Sequence, residues 1–569
     1  MSRRAVGLLL ALSLTAGLLT GCGDTAEGGN DSAVGFGTES VSPTPTVQEM
    51  ASGTERSSTG SFSMPYNEAY GWEVYNCRGM ENRAVMQLIY ESLFVMNNQF
   101  EPEPLLCQEY SVSDDGLTYT LSLRDAKFSS GKDLTAADVV YSMEQAAQSD
   151  LYMGRFSDIA TYYASDTKTV TVEMYQANDR LPCLLDFPII PAAGGTNAPV
   201  GTGPFVRTNN VLTVNTQWWQ GPENLNFQSV TLYASSSAED TRDNFEIDNI
   251  HFVYNNPTSS TAATFHCDYE LWNSRSTVMQ YIGCNFNSEI FGDRDVRVAL
   301  SHAIDRVSIA ESVYHNFADA ASLPVAPAST MYEEELAQKY AFTSSRSAME
   351  ELAKTDSFYL PQERLNPSPS PGAEAASPSP EAAESPTPEP TEQAQEEETD
   401  PEASPKVSGK AEAVTYNNIT MVVKGGNLNR EAAAKQAAQN LTDVGFTVNL
   451  EVYEGGAFES ALLSGNWDIY YGEVTLQPDF DLGPLLNLDG SLNYGSFTGP
   501  TELFSLMDSA KENSGNSYDL YQYIMERGYL CPVLFINNAV FTTRGVFTGL
   551  DPTPDALFYH ISDVHVNQN

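Results

Sequence analysis

The amino-acid sequence predicts an α/β protein, and three local patterns support that fold class. An alternating strand pattern near residue 120 runs into a capped helical pattern, and a second helical pattern begins near residue 293. Near residue 420 a strand, a helix and another strand follow in succession. A helix between two such strands is typical of a βαβ unit, so ligands are expected at the carboxyl ends of the parallel strands.

The N-terminal segment predicts export and attachment to a membrane. Two arginines precede an apolar run at residues 5–19, which is too short to span a bilayer comfortably but suits a secretory signal. The Leu-Thr-Gly-Cys that ends this region resembles the lipobox of bacterial lipoproteins. We expect a signal peptide at residues 1–21 and lipidation of Cys22. The chain would then lie on the outer face of the cytoplasmic membrane, at the cell surface or on the periplasmic side. An ordinary cleaved signal with an incidental cysteine is the alternative.

Length and composition indicate several domains and two segments that do not fold. The chain has 569 residues, too many for one core, and a formal net charge of -46. Such a charge argues against a nucleic-acid partner, because phosphates attract basic surfaces. Residues 22–61 are rich in Gly, Ser and Thr and predict a disordered spacer. Residues 366–409 are rich in Pro and Glu and predict a disordered insert, which we interpret as a tolerated surface insertion.

A strand near residue 120 and the helix after it are predicted from their patterns of apolar and polar residues. Apolar residues alternate with polar ones over residues 116–124, as expected for a half-buried strand. Thr135 and Asp138 have the spacing of a capping box at the start of the next helix. The expected apolar stripe of this helix consists of Val139, Val140, Met143 and Ala147.

The later helices and strands are predicted from the same kinds of pattern. Residues 293–314 predict one continuous helix with an apolar side. The residues on that side are Val296, Leu300, Ala303, Val307 and Ala310. The βαβ unit consists of a strand at 417–424, a helix at 429–444 that Gly445 closes, and a strand at 446–453.

The usual catalytic and metal-binding motifs are missing from the sequence. There is no phosphate-binding glycine loop, no Gly-x-Ser-x-Gly and no His-Glu-x-x-His. The histidines lack ligand spacing, and His302 is interpreted as structural rather than as a metal ligand. Apart from Cys22, six cysteines remain; Cys267 and Cys284 are the pair to test for a disulfide, with free buried thiols an equal alternative. We predict no enzyme, no catalytic residue, no metal and no cofactor, although a carboxylate-pair hydrolase is not excluded.

Several segments, in order, resemble the bacterial extracellular solute-binding proteins of family 5, the peptide-binding receptors of ABC importers. Residues 88–147 contain the "YESL", "DDGLTYTLSLR" and "FSSGKDLTAADV" blocks of that family. The other matching blocks are "GTGPF" at 201–205, "NTQWWQGPENLNF" at 215–227, "CNFNSEIFGDRDVRVALSHAIDR" at 284–306 and "LLSGNWDIYYGEVTLQPDFD" at 462–481. Long ordered blocks of this kind are far more specific than any single motif.

The resemblance implies a two-lobed fold of the periplasmic-binding-protein type II with an additional domain inserted in the first lobe. By that resemblance, lobe one combines 62–96, 190–278 and 540–569, the inserted domain is 97–189, and lobe two is 279–539. The lobes of such a receptor close around a ligand in the cleft between them. The protein is expected to be a monomer, and its implied partners are a short peptide ligand and an ABC permease in the cytoplasmic membrane.

The resemblance also implies ligand-binding residues. Peptide-binding members of the family hold the ligand's free ammonium with an aspartate in the segment that "LQPDFDLGP" resembles. The matching residue is Asp479, with Asp481 as the runner-up and Phe480 as a wall of the site. Within the same family, nickel chelates, opines and sugars remain possible ligands. An exported lipoprotein hydrolase is the alternative from another class.

Overall fold

The computed structural model describes residues 60–192, 199–365 and 417–567. Cys22, the signal peptide, the insert at 366–409 and all but the last two residues of the predicted spacer lie outside the described residues. Within the described ranges, no helix combines the length and apolar character that a membrane span requires.

The strands of the described residues are short and distributed along the whole chain. They are β1 Gly60–Tyr66, β2 Phe94–Met96, β3 Pro102–Pro104, β4 Cys107–Val112, β5 Thr118–Leu123, β6 Ile159–Ala164, β7 Thr169–Met174, β8 Phe205–Thr208, β9 Val211–Val214, β10 Phe227–Ala234, β11 Phe252–Asn255, β12 Tyr269–Ser274, β13 Val278–Cys284, β14 Ala318–Ala320, β15 Asn418–Lys424, β16 Thr447–Tyr453, β17 Ile469–Thr475, β18 Cys531–Ile536, β19 Asn538–Thr543, β20 Phe547–Thr548 and β21 His565–Val566.

The helices are concentrated in the second half of the chain. They are α1 Met80–Met86, α2 Ala136–Ala146, α3 Leu181–Leu184, α4 Ala238–Glu246, α5 Arg294–Ala303, α6 Arg306–Ser312, α7 Glu334–Lys339, α8 Ser345–Leu352, α9 Gln362–Leu365, α10 Leu428–Val444, α11 Gly456–Ser464, α12 Gly483–Leu486, α13 Thr501–Glu512 and α14 Ser517–Arg527. Short 3-10 turns occur at Glu68–Tyr70, Met153–Phe156, Pro222–Asn224, Ser514–Asn516 and Ile561–Asp563.

The strands form four main sheets. Two four-stranded sheets have the orders β1-β10-β9-β8 and β4-β5-β7-β6, and a three-stranded sheet has the order β11-β19-β12. The largest sheet has six strands in the order β14-β18-β13-β17-β15-β16. Parallel pairing occurs between β1 and β10 and along β16, β15 and β17, so the fold mixes parallel and antiparallel strands.

Two adjacent crossings join the three-stranded sheet to the six-stranded sheet. The first crossing leads from β12 to β13 through residues 275–277, and the second leads from β18 to β19 through Asn537. The crossings lie side by side, because Ser274 pairs with Asn538 and the Ser276 hydroxyl donates to the Ile536 carbonyl over 2.6 Å. Two short, neighbouring connections are the geometry of a hinge between lobes. The α/β two-lobed fold is thus confirmed, whereas the residue limits of the lobes and of the inserted domain stay predictions.

The predicted strand near residue 120, the helix after it and the βαβ unit are confirmed. In β5 the side chains of Tyr119, Leu121 and Leu123 are buried and alternate with partly exposed neighbours. Helix α2 begins with the predicted capping box, in which the Asp138 carboxylate accepts from the Thr135 amide at 2.9 Å. The βαβ unit is β15, α10 and β16 with parallel strands, and Gly445 ends the helix in the left-handed region at φ 117°.

The prediction of one helix over residues 293–314 is wrong. The chain forms α5 and α6 instead, with Ile304 in an extended conformation between them. Asp305 caps α6 by accepting from the Ser308 amide at 3.0 Å, and buried Arg306 donates to the carbonyls of Ser301 and Pro532. These bonds stabilise the break between α5 and α6. Val307, expected on the apolar side, is 57% exposed.

The contacts of the cysteines and of His302 indicate structural roles. The six cysteines of the described residues are all free, so Cys267 and Cys284 are not joined. Cys284 lies in the core around the six-stranded sheet, whereas Cys267 packs at the edge of a separate small cluster. The two ring nitrogens of His302 bond to the Glu351 carboxylate and to the Lys339 carbonyl, as expected for a structural residue.

Candidate functional site

A small pocket of about 40 Å³, partly open to solvent, contains all three predicted site residues. Its walls consist of Met331 and of four segments of the chain. These segments are the turn before α3 at 178–180, the turn before α12 at 479–482, the last turns of α13 at 507–511 and the first turns of α14 at 517–521. The first of these segments belongs to the predicted inserted domain and the other three to predicted lobe two.

The turn that carries Asp479, Phe480 and Asp481 follows the carboxyl end of β17. β17 runs parallel to β15, so the site lies at the edge of the sheet where α/β proteins gather ligands. Phe480 is in the left-handed region at φ 59°, which costs a non-glycine residue about 1–2 kcal/mol. Burial offsets that cost, because its ring packs edge-on against Phe100 at 5.2 Å.

Asp479 is a desolvated carboxylate without an ion-pair partner. Its Oδ2 accepts from the Asn178 side-chain amide at 3.0 Å and its Oδ1 accepts from the Asp481 amide at 3.2 Å. Burial, and next the negative charge of Asp481, raise the pKa of Asp479, although Lys511 and Asn178 act against this rise. In the part of the chain that the structure describes, no cation lies within 4.0 Å of the Asp479 carboxylate. A cationic group brought beside it would meet an unneutralised acceptor.

Lys511 is already shared by two other aspartates. Its Nζ lies 2.9 Å from the Asp158 carboxylate and 3.5 Å from that of Asp481. Burial acts to lower the pKa of Lys511, but the carboxylates of Asp481 and Asp158 outweigh it and the pKa is raised. Lys511 therefore stays charged and ties Asp481 to the opposite wall, which leaves Asp479 as the less neutralised of the predicted pair.

Arg180 brings a second cation to the pocket. Its side chain is 7% exposed, its Nη1 pairs with the Glu101 carboxylate at 3.1 Å, and its Nη2 donates to the Phe100 carbonyl at 2.5 Å. Its Nε is buried and has no hydrogen-bond partner among the described residues. A buried donor without an acceptor is costly, so this nitrogen is an unfavourable feature of the folded chain beside the pocket.

Beside the pocket, polar contacts join the predicted inserted domain to predicted lobe two along a line that we call the seam. The Asp179 carboxylate accepts from both the amide and the hydroxyl of Ser514 at 2.8 Å, and Gln176 donates to Asp508 at 2.8 Å. These contacts, together with the Asn178–Asp479 bond, join segments far apart in sequence. Asn178, Arg180 and Lys511 were missed by the sequence analysis, because no local motif marks them.

A different buried carboxylate lies away from this pocket. Glu91 accepts from the indole nitrogens of Trp218 and Trp219, each at 3.0 Å. Burial raises the pKa of Glu91 to about 7 in spite of these bonds. This contact joins the "YESL" and "WWQGP" blocks of the sequence and is structural.

No metal centre is found among the described residues. No group of three or more His, Cys, Asp and Glu side chains in residues 60–192, 199–365 and 417–567 has the arrangement of a metal site. The pocket lining offers carboxylate acceptors together with guanidinium and ammonium donors.

Comparison with known proteins identifies the family. A sequence profile of the bacterial extracellular solute-binding proteins, family 5 (middle region), matches residues 101–496. The predicted resemblance is confirmed, and so is the prediction that the chain is not an enzyme, since this is a family of solute-binding proteins.

Individual relatives and structures agree with that family. The glutathione-binding protein GsiB of Salmonella paratyphi A (strain ATCC 9150 / SARB42) is 27% identical over 306 residues, which make up 50% of this chain and 59% of that protein. The match thus spans little more than half of the relative's length. The structure of the oligopeptide-binding protein AppA from Bacillus subtilis, in complex with a nonapeptide, has a TM-score of 0.56 at 19% identity and covers 90% of this chain and 99% of its own. The unliganded open form of MppA, a periplasmic murein tripeptide binding protein, has a TM-score of 0.67 at 16% identity, with 90% and 98% covered. At these identities the two structures support the fold alone.

Proposed function

Because the chain belongs to the bacterial extracellular solute-binding proteins of family 5, we propose that it is the lipid-anchored receptor of an ABC importer. In this proposal it captures short peptides between its two lobes and delivers them to a permease in the cytoplasmic membrane. Glutathione, which gives the relative GsiB its name, is itself a tripeptide and falls within this ligand class.

The observation that carries the proposal is that the Asp479 carboxylate has no cationic partner among the described residues. Its carboxylate is desolvated and lacks an ion pair within the described residues, while the neighbouring Asp481 already contacts Lys511. A peptide's terminal ammonium would supply the missing positive charge. Phe480 holds the turn in place through its buried ring, so we assign it a positioning role rather than a direct contact.

The pocket also suits a ligand of varied sequence. Met331 and Met507 line it beside the charged groups, and methionine side chains adapt to differently shaped partners. Directional contacts from the charged groups and adaptable contacts from the methionines are expected to fix the peptide terminus while tolerating different side chains.

The substitution Asp479→Asn tests this assignment. Removing one partner of a buried ion pair costs about 3–5 kcal/mol, so affinity for trialanine should fall by roughly a hundredfold or more in isothermal titration. Asp489→Asn, which changes an exposed aspartate in the same loop region, is the matched control and should leave the affinity unchanged. Equal affinities for the two variants would remove Asp479 from this role.

Membrane attachment is tested separately at Cys22. A buried methylene contributes about 0.8 kcal/mol, so the acyl chains of a lipoprotein hold it firmly on a bilayer. Cys22→Ser should release the protein into the soluble extracytoplasmic fraction or leave its signal uncleaved, as judged by fractionation and intact mass. A Cys22→Ser protein that matures normally and stays on the membrane would contradict the lipid anchor.

A further inference from the structure

We propose that the tip of the β2–β3 hairpin, residues 97–101, is a reversible latch on the candidate pocket. Docking of the Phe100 ring against Phe480 keeps the pocket contracted, and undocking of that ring lets the pocket widen and admit a ligand. The inference rests on the proposed function and deepens it, because it names how access to the same site is controlled.

The pocket in its observed form is too small for a peptide. Its volume of about 40 Å³ suffices for a few water molecules. Pockets that bind small organic ligands measure roughly 300–1,000 Å³, so a wall must move before a peptide can enter. The turn at 479–482 is the wall that the hairpin tip fixes in place, because Phe480 both lines the pocket and contacts Phe100.

Phe100 lies at the tip of a hairpin and is nevertheless buried. Its exposed fraction is 1%, and it shares a core with Phe480 and Phe535 of predicted lobe two. The ring centroids of Phe100 and Phe480 are 5.2 Å apart, and those of Phe480 and Phe535 are 6.2 Å apart. Phe535 belongs to β18, which leads into the crossing at Asn537. The hairpin tip thus contacts the pocket turn and, through it, a strand that enters the connection between two sheets.

Backbone strain at both rings makes the docking reversible. Phe100 and Phe480 have φ angles of 60° and 59°, in the left-handed region that disfavours residues with a Cβ atom. The other non-glycine residues with positive φ in the described ranges are Asn, Asp, His and Ser, mostly types that tolerate this region. The two left-handed phenylalanines are therefore the two whose rings meet. Relief of this strain favours undocking and offsets part of the stability that burial contributes.

The hairpin is anchored to the C-terminal segment of predicted lobe one. The Met96 amide donates to both carboxylate oxygens of Asp555 at 3.1 Å, and the Asn98 side chain donates to the Asp551 carboxylate at 2.7 Å. These bonds do not involve the Phe100 ring. The ring can therefore leave the core of predicted lobe two while the hairpin stays attached to predicted lobe one.

On the side of predicted lobe two, Glu101 is the polar part of the latch. Its carboxylate accepts from the Thr330 hydroxyl and pairs with Arg180 at 3.1 Å. The Glu101 side chain is 38% exposed, and ion pairs that water reaches contribute little to stability. A strained aromatic contact and a partly exposed carboxylate thus fasten the hairpin tip, as expected for a contact that opens and closes.

Hydroxyl-radical footprinting of the full-length protein tests the latch, because labelling of a phenylalanine ring follows its exposure to solvent. Without ligand, Phe100 should be labelled as little as Phe128, which is also 1% exposed and does not line the pocket. Saturating trialanine should raise the labelling of Phe100 by about threefold or more and leave that of Phe128 unchanged. Labelling of Phe100 that stays constant or falls on binding of trialanine would overturn the latch.

Phe100→Ala and Glu101→Gln each remove one part of the latch. The population of the widened state limits binding, so the association rate constant for trialanine in stopped-flow measurements should rise by about fivefold in Phe100→Ala and about twofold in Glu101→Gln. Glu101→Gln leaves the core intact and decides the matter if thermal unfolding shows that Phe100→Ala does not fold. Glu103→Gln, in the same hairpin, is the matched control and should leave the rate constant unchanged. Its carboxylate is 42% exposed and faces His560 of predicted lobe one.

The sign of these changes separates a latch from a support. If the Phe100 ring merely supported the pocket turn, its removal would slow or weaken binding of trialanine. Slower association in Phe100→Ala, or equal rate constants in Glu101→Gln and Glu103→Gln, would therefore overturn the inference. If trialanine binds the wild type and loses affinity in Asp479→Asn, the proposed peptide receptor stands even where the latch fails. If trialanine does not bind at all, both fail together.

Discussion

At the scale of single residues, Glu91 shows how a buried carboxylate can serve the fold. It accepts hydrogen bonds from two indole N–H groups, each at 3.0 Å, and so joins segments of the chain that are 127 and 128 positions apart. Hydrogen bonds favour the ionised form, but burial is the larger influence and holds the pKa at about 7. The residue therefore titrates within the range in which stability is ordinarily measured.

The raised pKa of Glu91 determines whether the free energy of unfolding rises or falls with pH. Between about pH 4.5 and pH 7 the folded chain keeps a proton on Glu91 that the unfolded chain has released. The stability contributed by this proton is fully present below pH 4.5 and is lost as pH rises through 7. In urea unfolding, the wild type should lose unfolding free energy relative to Glu91→Gln, which cannot titrate, as pH rises over this window. A difference that stays constant from pH 4 to pH 8 would contradict the raised pKa.

At the scale of elements, the break between α5 and α6 depends on a helix cap. Asp305 accepts from the Ser308 amide at 3.0 Å and so satisfies an otherwise unpaired amide at the start of α6. We expect Asp305→Ala to lower the free energy of unfolding by about 1 kcal/mol, measured by chemical denaturation. Glu311→Ala, at an exposed position of the same helix, serves as control and should change it by less than half as much. Equal effects would mean that the cap does not stabilise the break.

The same elements show how far sequence reasoning reaches. β5, α2 and the β15-α10-β16 unit were predictable, because period and capping residues are local properties of the chain. The break after Ala303 was not, because Arg306 requires carbonyls that include that of Pro532 in a distant strand. The candidate site likewise has residues that were predictable from the sequence and residues that were not. Asp479 was identified from a sequence block, but its partner Asn178 is 301 positions away, and only the folded chain brings the two together.

At the scale of the whole molecule, the two crossings beside Ser276 and Asn537 are the narrow connection between the three-stranded and the six-stranded sheet. Asp319 lies against this connection, because its carboxylate accepts from the Asn537 side chain at 3.1 Å and faces Arg275 at 4.0 Å. The candidate pocket lies on the seam between predicted lobe two and the predicted inserted domain. A ligand that replaces the missing charge beside Asp479 would therefore add contacts across that seam as well as within one lobe.

The central claim is that the chain binds short free-amine peptides without altering them, and native mass spectrometry tests it most directly. The protein is incubated with an equimolar mixture of short peptides and their N-acetylated forms. The account predicts one-to-one noncovalent complexes with intact free-amine peptides and few or none with the acetylated ones. Shortened peptides would indicate a hydrolase instead. Equal binding of both forms, or complexes only with nickel chelates, opines or sugars offered in parallel, would contradict the assignment of a peptide ammonium to Asp479.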